Sequence, residues 1–160
     1  MLEFISKHIT YCEATKSKDA QRLGLLNNPN TTQIQAMRLV AEKVFEPVRE
    51  YLGKPININS FFRRLEVNKA IKGSSKTSQH LKGEAIDLDC EENIKIFNYI
   101  KDNLVFDQLI AEFEYNKQPK WIHVSYSNTK NRKEVLISTT KDNKTEYLKY
   151  TKELFDKIYS

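Results

Sequence analysis

The chain has 160 residues and only three histidines, two of them in patterns that could do metal chemistry. In "TSQHLKGEAIDLD", His80 and Asp87 flank Gly83, so a loop can fold the imidazole back toward a carboxylate at the start of a strand. A catalytic zinc site takes three protein ligands, commonly imidazoles with a carboxylate, and keeps a fourth position open. His123 in "KWIHVSY" can supply the third ligand from a separate element. In an extended segment Trp121, His123 and Ser125 share one face, opposite Ile122, Val124 and Tyr126. Hydrolysis also needs a base that takes a proton from water and passes it to the leaving amine. "LIAEFEY" offers Glu112 and Glu114 on one strand face. Glu112 has the more apolar neighbours, and partial burial would raise its pKa toward working pH, so it is the preferred base.

Each of these residues also has a plain reading. A histidine before a strand commonly caps or lies on the surface, an aspartate in an amphipathic strand faces solvent, and aromatics around a histidine are core. Spacing alone sets the metal reading level with these. His8 reads as a capping or core residue. Asp89 shares a face with Asp87 and is either solvated or an orienting partner for a ligand histidine. Tyr126 alternates away from His123.

The elements that must hold this chemistry follow from periodicity. The length suits one domain, 1–160, and 39% hydrophobic with 29% charged residues is a globular composition. From Thr32 to Leu52 apolar residues fall at helical spacing, with Thr31 or Thr32 as N-cap, Gly53 closing and Pro47 interrupting the last turns. "KPININSF" reads as a strand, "RLEVNKAIKG" as a short helix stopped by Gly73, and "SSKTSQHLKG" as a polar loop. "EAIDLDC" alternates, with Ile86, Leu88 and Cys90 opposite Ala85, Asp87 and Asp89. "EENIKIFNYIKDN" reads as a helix with Glu91 and Glu92 in its first turn. "FDQLIAEFEY", "WIHVSYS" and "KEVLISTT" are strands, and "TEYLKYTKELFDKIY" reads as a closing helix. Helices first and last around closely spaced strands predict an α+β fold with an antiparallel sheet flanked by helices.

Composition narrows the surroundings. Cys12 and Cys90 have no partner pattern and read as reduced, partly buried thiols. The net charge of +5 and pI of about 9.1 favour polyanionic surroundings, among them acidic cell-wall polymers. The basic residues are scattered and not interleaved with aromatics, so no nucleic-acid partner is read. No apolar run is long enough to span a membrane. The N-terminal stretch lacks a basic region followed by an apolar one, so the expectation is a protein made in the cytoplasm without a signal peptide.

"SQHLKGEAIDLD" resembles the SxHxxGxAxD signature of the M15 family of zinc D-Ala-D-Ala carboxypeptidases, whose fold is shared with the hedgehog signalling domain. "SKHITYCEATKSKDAQRLGLLNNP", "FEPVREYLGKPININSFFRRLEVNKAI", "FDQLIAEF" and "WIHVSY" resemble, in order, the blocks of a compact bacterial and phage subgroup of these peptidases. The likeness covers roughly residues 5 to 127. It implies that His80, Asp87 and His123 hold one zinc and that Glu112 is the catalytic base. It further implies that Arg63 in "SFFRR" holds a substrate carboxylate, and that Ser78 bonds substrate or orders its loop. Two departures stand out. Phe61 and Phe62 occupy positions where the family has Gly and then Tyr, with Arg64 where a small residue is common. "EYNKQPK" also lengthens the connection between Glu112 and His123, and a shifted register there would hand the role of base to Glu114.

The expectation is therefore a monomeric zinc metallopeptidase that hydrolyses peptidoglycan stem peptides in D-Ala-D-Ala carboxypeptidase fashion. A phage-type lysin released to the wall, or an enzyme carried in a virion, fits the missing signal. Two alternatives stand beside it: an L-Ala-D-Glu or crossbridge endopeptidase with the same site, and a non-catalytic zinc-stabilised binding or virion structural module.

Overall fold

The N-terminal hairpin, β1 (Phe4–Ser6) and β2 (Ile9–Thr10), leads into two short helices, α1 (Tyr11–Thr15) and α2 (Lys18–Leu23), in a computed structural model that describes residues 3–71 and 74–160. His8 joins this hairpin to the helices behind it: its Nδ1 lies 2.6 Å from Glu46 Oε2, and its backbone N–H donates to Oε1. It is a tether and no part of a metal site.

The long helix predicted from residue 32 begins at Thr31 but is capped by Asn30. Asn30 accepts from the Gln33 N–H while the Gln33 side chain returns to the Asn30 N–H, a reciprocal pair that Thr31 could not form with Ile34. Pro47 leaves its mark as expected. Helix α3 (Thr31–Val40) widens into a π-helical turn at Ala41–Phe45 before α4 (Glu46–Leu52) resumes, because proline has no N–H for a regular turn. Gly53 closes α4 at φ 66°.

Strand β3 (Asn57–Ser60) and helix α5 (Leu65–Ala70) match the predicted strand and short helix. The predicted stop at Gly73 lies outside the described residues. The polar loop after it holds a 3₁₀ turn, Gln79–Lys82, that carries His80. β4 (Ala85–Asp89) then leads to α6 (Asn93–Asn103). Glu91 and Glu92 precede that helix instead of filling its first turn, and Glu92 pairs with Lys54 and Lys95. Asp89 accepts from Asn93 Nδ2 at 2.8 Å, so it fixes the start of α6 and orients no histidine.

Strands β5 (Gln108–Tyr115) and β6 (Gln118–Ser125) form a hairpin, followed by β7 (Glu134–Lys141), β8 (Lys144–Lys149) and α7 (Lys152–Tyr159). The last pair corrects the sequence reading, which placed one helix from residue 145. Asp142 and Asn143 both adopt positive φ, 48° and 59°, and turn Lys144–Lys149 back against β7 before the helix begins. The lengthened β5–β6 connection is likewise a two-residue turn with positive φ, at Asn116 and Lys117, between strands of eight residues each.

The main sheet runs β3-β4-β6-β5-β7-β8, antiparallel except for the parallel pair β5 and β7. It is the expected α+β arrangement with one parallel step. Ile86, Leu88, Leu109, Ala111, Ile122 and Val124 point from its central strands into one core with Met37, Val40, Phe97 and Ile100 from the helices. The helices cover this face, and Phe155 of α7 stacks on Phe97 of α6 at 4.8 Å between ring centroids. Side chains at alternate positions, Asp87 and His123 among them, therefore project from the opposite face. Tyr126 packs against the core as its alternation predicts. Cys12 is exposed, contrary to the expectation of partial burial, and Cys90 is half-buried.

Candidate metal centre

Asp87 and His123 are direct cross-strand neighbours on β4 and β6, so both project from the uncovered face of the sheet. His123 Nδ1 lies 2.9 Å from Asp87 Oδ1. His80 arrives from the 3₁₀ turn. That turn is clamped: Gln33 Nε2 of α3 donates to the Leu81 carbonyl at 2.9 Å, and Gly83 closes the turn at φ 75°. A Cβ on Gly83 would meet the Gln33 carbonyl at 2.7 Å and Met37 Cγ at 2.8 Å, so glycine alone allows this approach of the turn to α3.

His80 is 1% exposed, and its Nδ1 lies 2.7 Å from the Phe61 carbonyl. A carbonyl can only accept, so Nδ1 carries the hydrogen and Nε2 presents a lone pair. Burial pushes the His80 pKa down, against the pull of Asp87, which favours this neutral form. Nε2 is sealed from solvent, makes no hydrogen bond, and stands 3.3 Å from Asp87 Oδ1. An acceptor nitrogen facing a carboxylate oxygen in a buried site is unfavourable unless a cation lies between them. Burial by itself would push the Asp87 carboxyl up, but the two histidines outweigh it and hold it far below the usual carboxylate range. One ligand atom from each of His80, Asp87 and His123 lies within 4.8 Å of the others, the only such cluster among the described residues. The residues fit a divalent metal of zinc type, with two imidazoles and one carboxylate as donors.

The three residues line a cleft of about 850 Å³. Glu112 lines it too, two positions along β5 from Ile110, which pairs with His123. It is 7% exposed, and burial pushes its pKa up although Ser138 and His123 pull it down. Ser138 Oγ donates to Glu112 Oε2 at 2.5 Å. Glu114 is exposed and outside the cleft, where its carboxylate accepts from the Lys117 N–H of the turn. The two glutamates part company because Phe113 between them adopts φ 55°, which breaks the alternation that would put both on one face.

Arg63 and Ser78 also line the cleft. The Arg63 N–H donates to the His80 carbonyl at 3.1 Å, which ties the "SFFRR" turn to the histidine turn. Arg63 Nη1 reaches Asn68 Oδ1 at 3.4 Å, while Nε is buried without a hydrogen-bond partner. Ser78 precedes the 3₁₀ turn, where its backbone carbonyl accepts from Leu81. Phe61 and Phe62, the departures noted above, are both buried in the core, and Phe61 serves the site through its carbonyl.

The family model described as Peptidase M15 matches residues 7–125. The chain belongs to the Peptidase M15 family. Among curated proteins, none matches it. Membership makes the chain one of a family of metal-dependent peptidases of peptidoglycan, and every element that bears His80, Asp87, Glu112 and His123 falls within the matched residues.

Several residues at this peptidase site escaped the sequence reading. Asn27, 7% exposed, donates to the carbonyls of Thr15 and Phe62 and accepts from the Arg64 N–H, so it shapes the arginine turn. Asn68 is buried and bonds the Ser75 carbonyl across the loop before His80. Ser138, Thr145 and Tyr147 come from the last hairpin, beyond the matched residues. A serine amid the apolar residues of "KEVLISTT" is the one local signal among these.

Proposed function

We propose that this chain is a zinc metallopeptidase that cleaves peptidoglycan stem peptides in the manner of a D-Ala-D-Ala carboxypeptidase, with His80, Asp87 and His123 as the zinc ligands. The observation that carries this reading is the buried lone pair of His80 Nε2 facing Asp87 in a cleft that also holds a buried glutamate. When bound, the metal supplies Lewis acidity, polarising a peptide carbonyl and acidifying a water.

The chain's own residues do the rest. Glu112 accepts a proton from the attacking water as its oxygen bonds the carbonyl carbon. It then delivers that proton to the amine as the C–N bond breaks. Its burial suits both steps, because a raised pKa brings the group closer to the pH at which it must gain and lose a proton. Arg63 brings a half-buried guanidinium to the cleft, suited to a substrate carboxylate and so to cleavage near a C-terminus. Ser78 borders the same end and bonds substrate or orders the loop. Phe113 and Trp121 form an edge-to-face pair on the other side, an apolar wall for the chain that leads to the scissile bond.

In this reading the protein is a monomeric phage-type lysin or a virion-borne enzyme, and its net positive charge holds it against anionic wall polymers. The test is product identity. Muropeptides from muramidase-digested peptidoglycan are incubated with the protein and the products weighed by mass spectrometry. Release of free D-alanine supports the carboxypeptidase. Fragments cut between L-Ala and D-Glu, or at a crossbridge, would move the cut and leave the zinc chemistry intact. Zinc bound without any cleavage would make the chain a binding module.

A further inference from the structure

The last hairpin lies outside the matched residues, yet one of its side chains touches the candidate base. β7 runs parallel to β5 with Ser138 in register with Glu112, and Ser138 is 0% exposed. Its hydroxyl is used twice. Oγ–H donates to Glu112 Oε2 at 2.5 Å, and Oγ accepts from the Phe113 N–H at 3.0 Å.

The second contact explains how the first is kept. Phe113 at φ 55° has left the β5–β6 ladder, whose pairing passes from Glu112 with Trp121 to Glu114 with Pro119. Its N–H would otherwise be a buried donor without a partner, and a non-glycine residue holds such a φ only where neighbours determine it. Ser138 captures that N–H. The Tyr159 hydroxyl of α7 lies 3.3 Å from the Phe113 carbonyl, so this positive-φ residue is held from both sides by the C-terminal segment. Glu112 Oε1, by contrast, has no hydrogen bond among the described residues and is not sealed from solvent as His80 Nε2 is.

We propose that Ser138 is a positioning residue for the Glu112 carboxylate: it commits Oε2, fixes the side chain beside Phe113, and leaves Oε1 as the oxygen that takes the proton. The proposal rests on the assignment of Glu112 as base. It gives the segment after residue 125 a part in turnover beyond completing the sheet.

The test compares wild type, Ser138→Ala, Ser138→Thr and Glu112→Gln on muropeptides from muramidase-digested peptidoglycan, with released amine measured across concentrations. Bound zinc and Tm are measured for each protein. The expected result is a kcat about 10–100-fold lower in Ser138→Ala, as for other groups that orient a catalytic side chain. KM, zinc content and Tm stay near wild type, and Ser138→Thr restores most of kcat. If the alanine protein fails to fold, Ser138→Cys fills the same space with a weaker donor, and its kcat falls with Tm preserved. A kcat within twofold of wild type in folded Ser138→Ala overturns the proposal. So does a loss that tracks Tm or zinc and is not restored by threonine. Glu112→Gln separates the two ideas: full turnover there removes the base, whereas loss there with none in Ser138→Ala removes only the positioning role.

Discussion

Residues 7–125 and the segment after them meet at one cleft but contribute to it differently. The matched residues provide the groups to which the proposed mechanism gives the bond changes: a nitrogen lone pair, a carboxylate, a second imidazole and a buried glutamate. The later segment brings Leu136, Ser138, Thr145 and Tyr147, which shape or hold and have no part in the bond changes. The contrast extends to how each is anchored. Asp87 and His123 sit side by side on central strands, and His80 is clamped to α3, whereas Tyr147 stands 55% exposed on the edge strand β8. The candidate ligands thus stand on central, buried strands and a clamped turn, whereas the cleft rim on β8 is exposed.

The largest effect should come from the ligands. Asp87→Ala removes the oxygen that both imidazoles face, and the account expects loss of stoichiometric metal and of all turnover, read by elemental analysis and the amine assay. Retained metal and activity would move the site elsewhere. Next, Glu112→Gln keeps size and hydrogen-bonding capacity but not basicity. It should bind zinc normally and lose about 100–10,000-fold in kcat. Glu114→Gln, the control on the exposed side of Phe113, should stay near wild type.

A smaller effect sharpens the link between the two segments. The Ser138 hydroxyl and His123 pull the Glu112 pKa down against the larger upward push of burial, with Asp87 adding to that push. Removing the hydroxyl leaves the upward push less opposed. Glu112 then stays protonated to higher pH, and the acid limb of kcat/KM in Ser138→Ala should move upward relative to wild type. A limb that stays in place or moves down would break the link. The smallest effect is expected at the rim. Tyr147→Ala should raise KM about twofold to fivefold with kcat unchanged, as for loss of one partly exposed aromatic contact.

The candidate metal site was legible in the sequence for a physical reason. Few residue types can bind zinc, and His80, Asp87 and His123 lie in a loop and two strands whose alternation fixes which way the side chains point. The match of Asp87 with His123 across β4 and β6 follows from that alternation once the strands pair. What escaped was polar support between distant segments. Asn27 meets the Phe62 carbonyl across 35 positions and Ser138 meets Glu112 across 26, and neither contact leaves a local pattern. The misread end has a different cause. "TEYLKYTKELFDKIY" carries helical spacing through its second half, while the strand in its first half is defined by the Asp142–Asn143 turn just before it. Likewise the choice between Glu112 and Glu114 turned on the positive φ of Phe113, a conformation that the sequence of a phenylalanine does not announce.

One measurement tests the central claim most directly: zinc content and hydrolysis determined together on the purified chain. The protein is analysed for metal, then offered muropeptides with and without a chelator. The account predicts one zinc per chain and release of amino acid or peptide that stops with chelator and returns with zinc. Stoichiometric zinc with no cleavage of any muropeptide would contradict the peptidase, and a chain that takes up no zinc would contradict the metal centre itself.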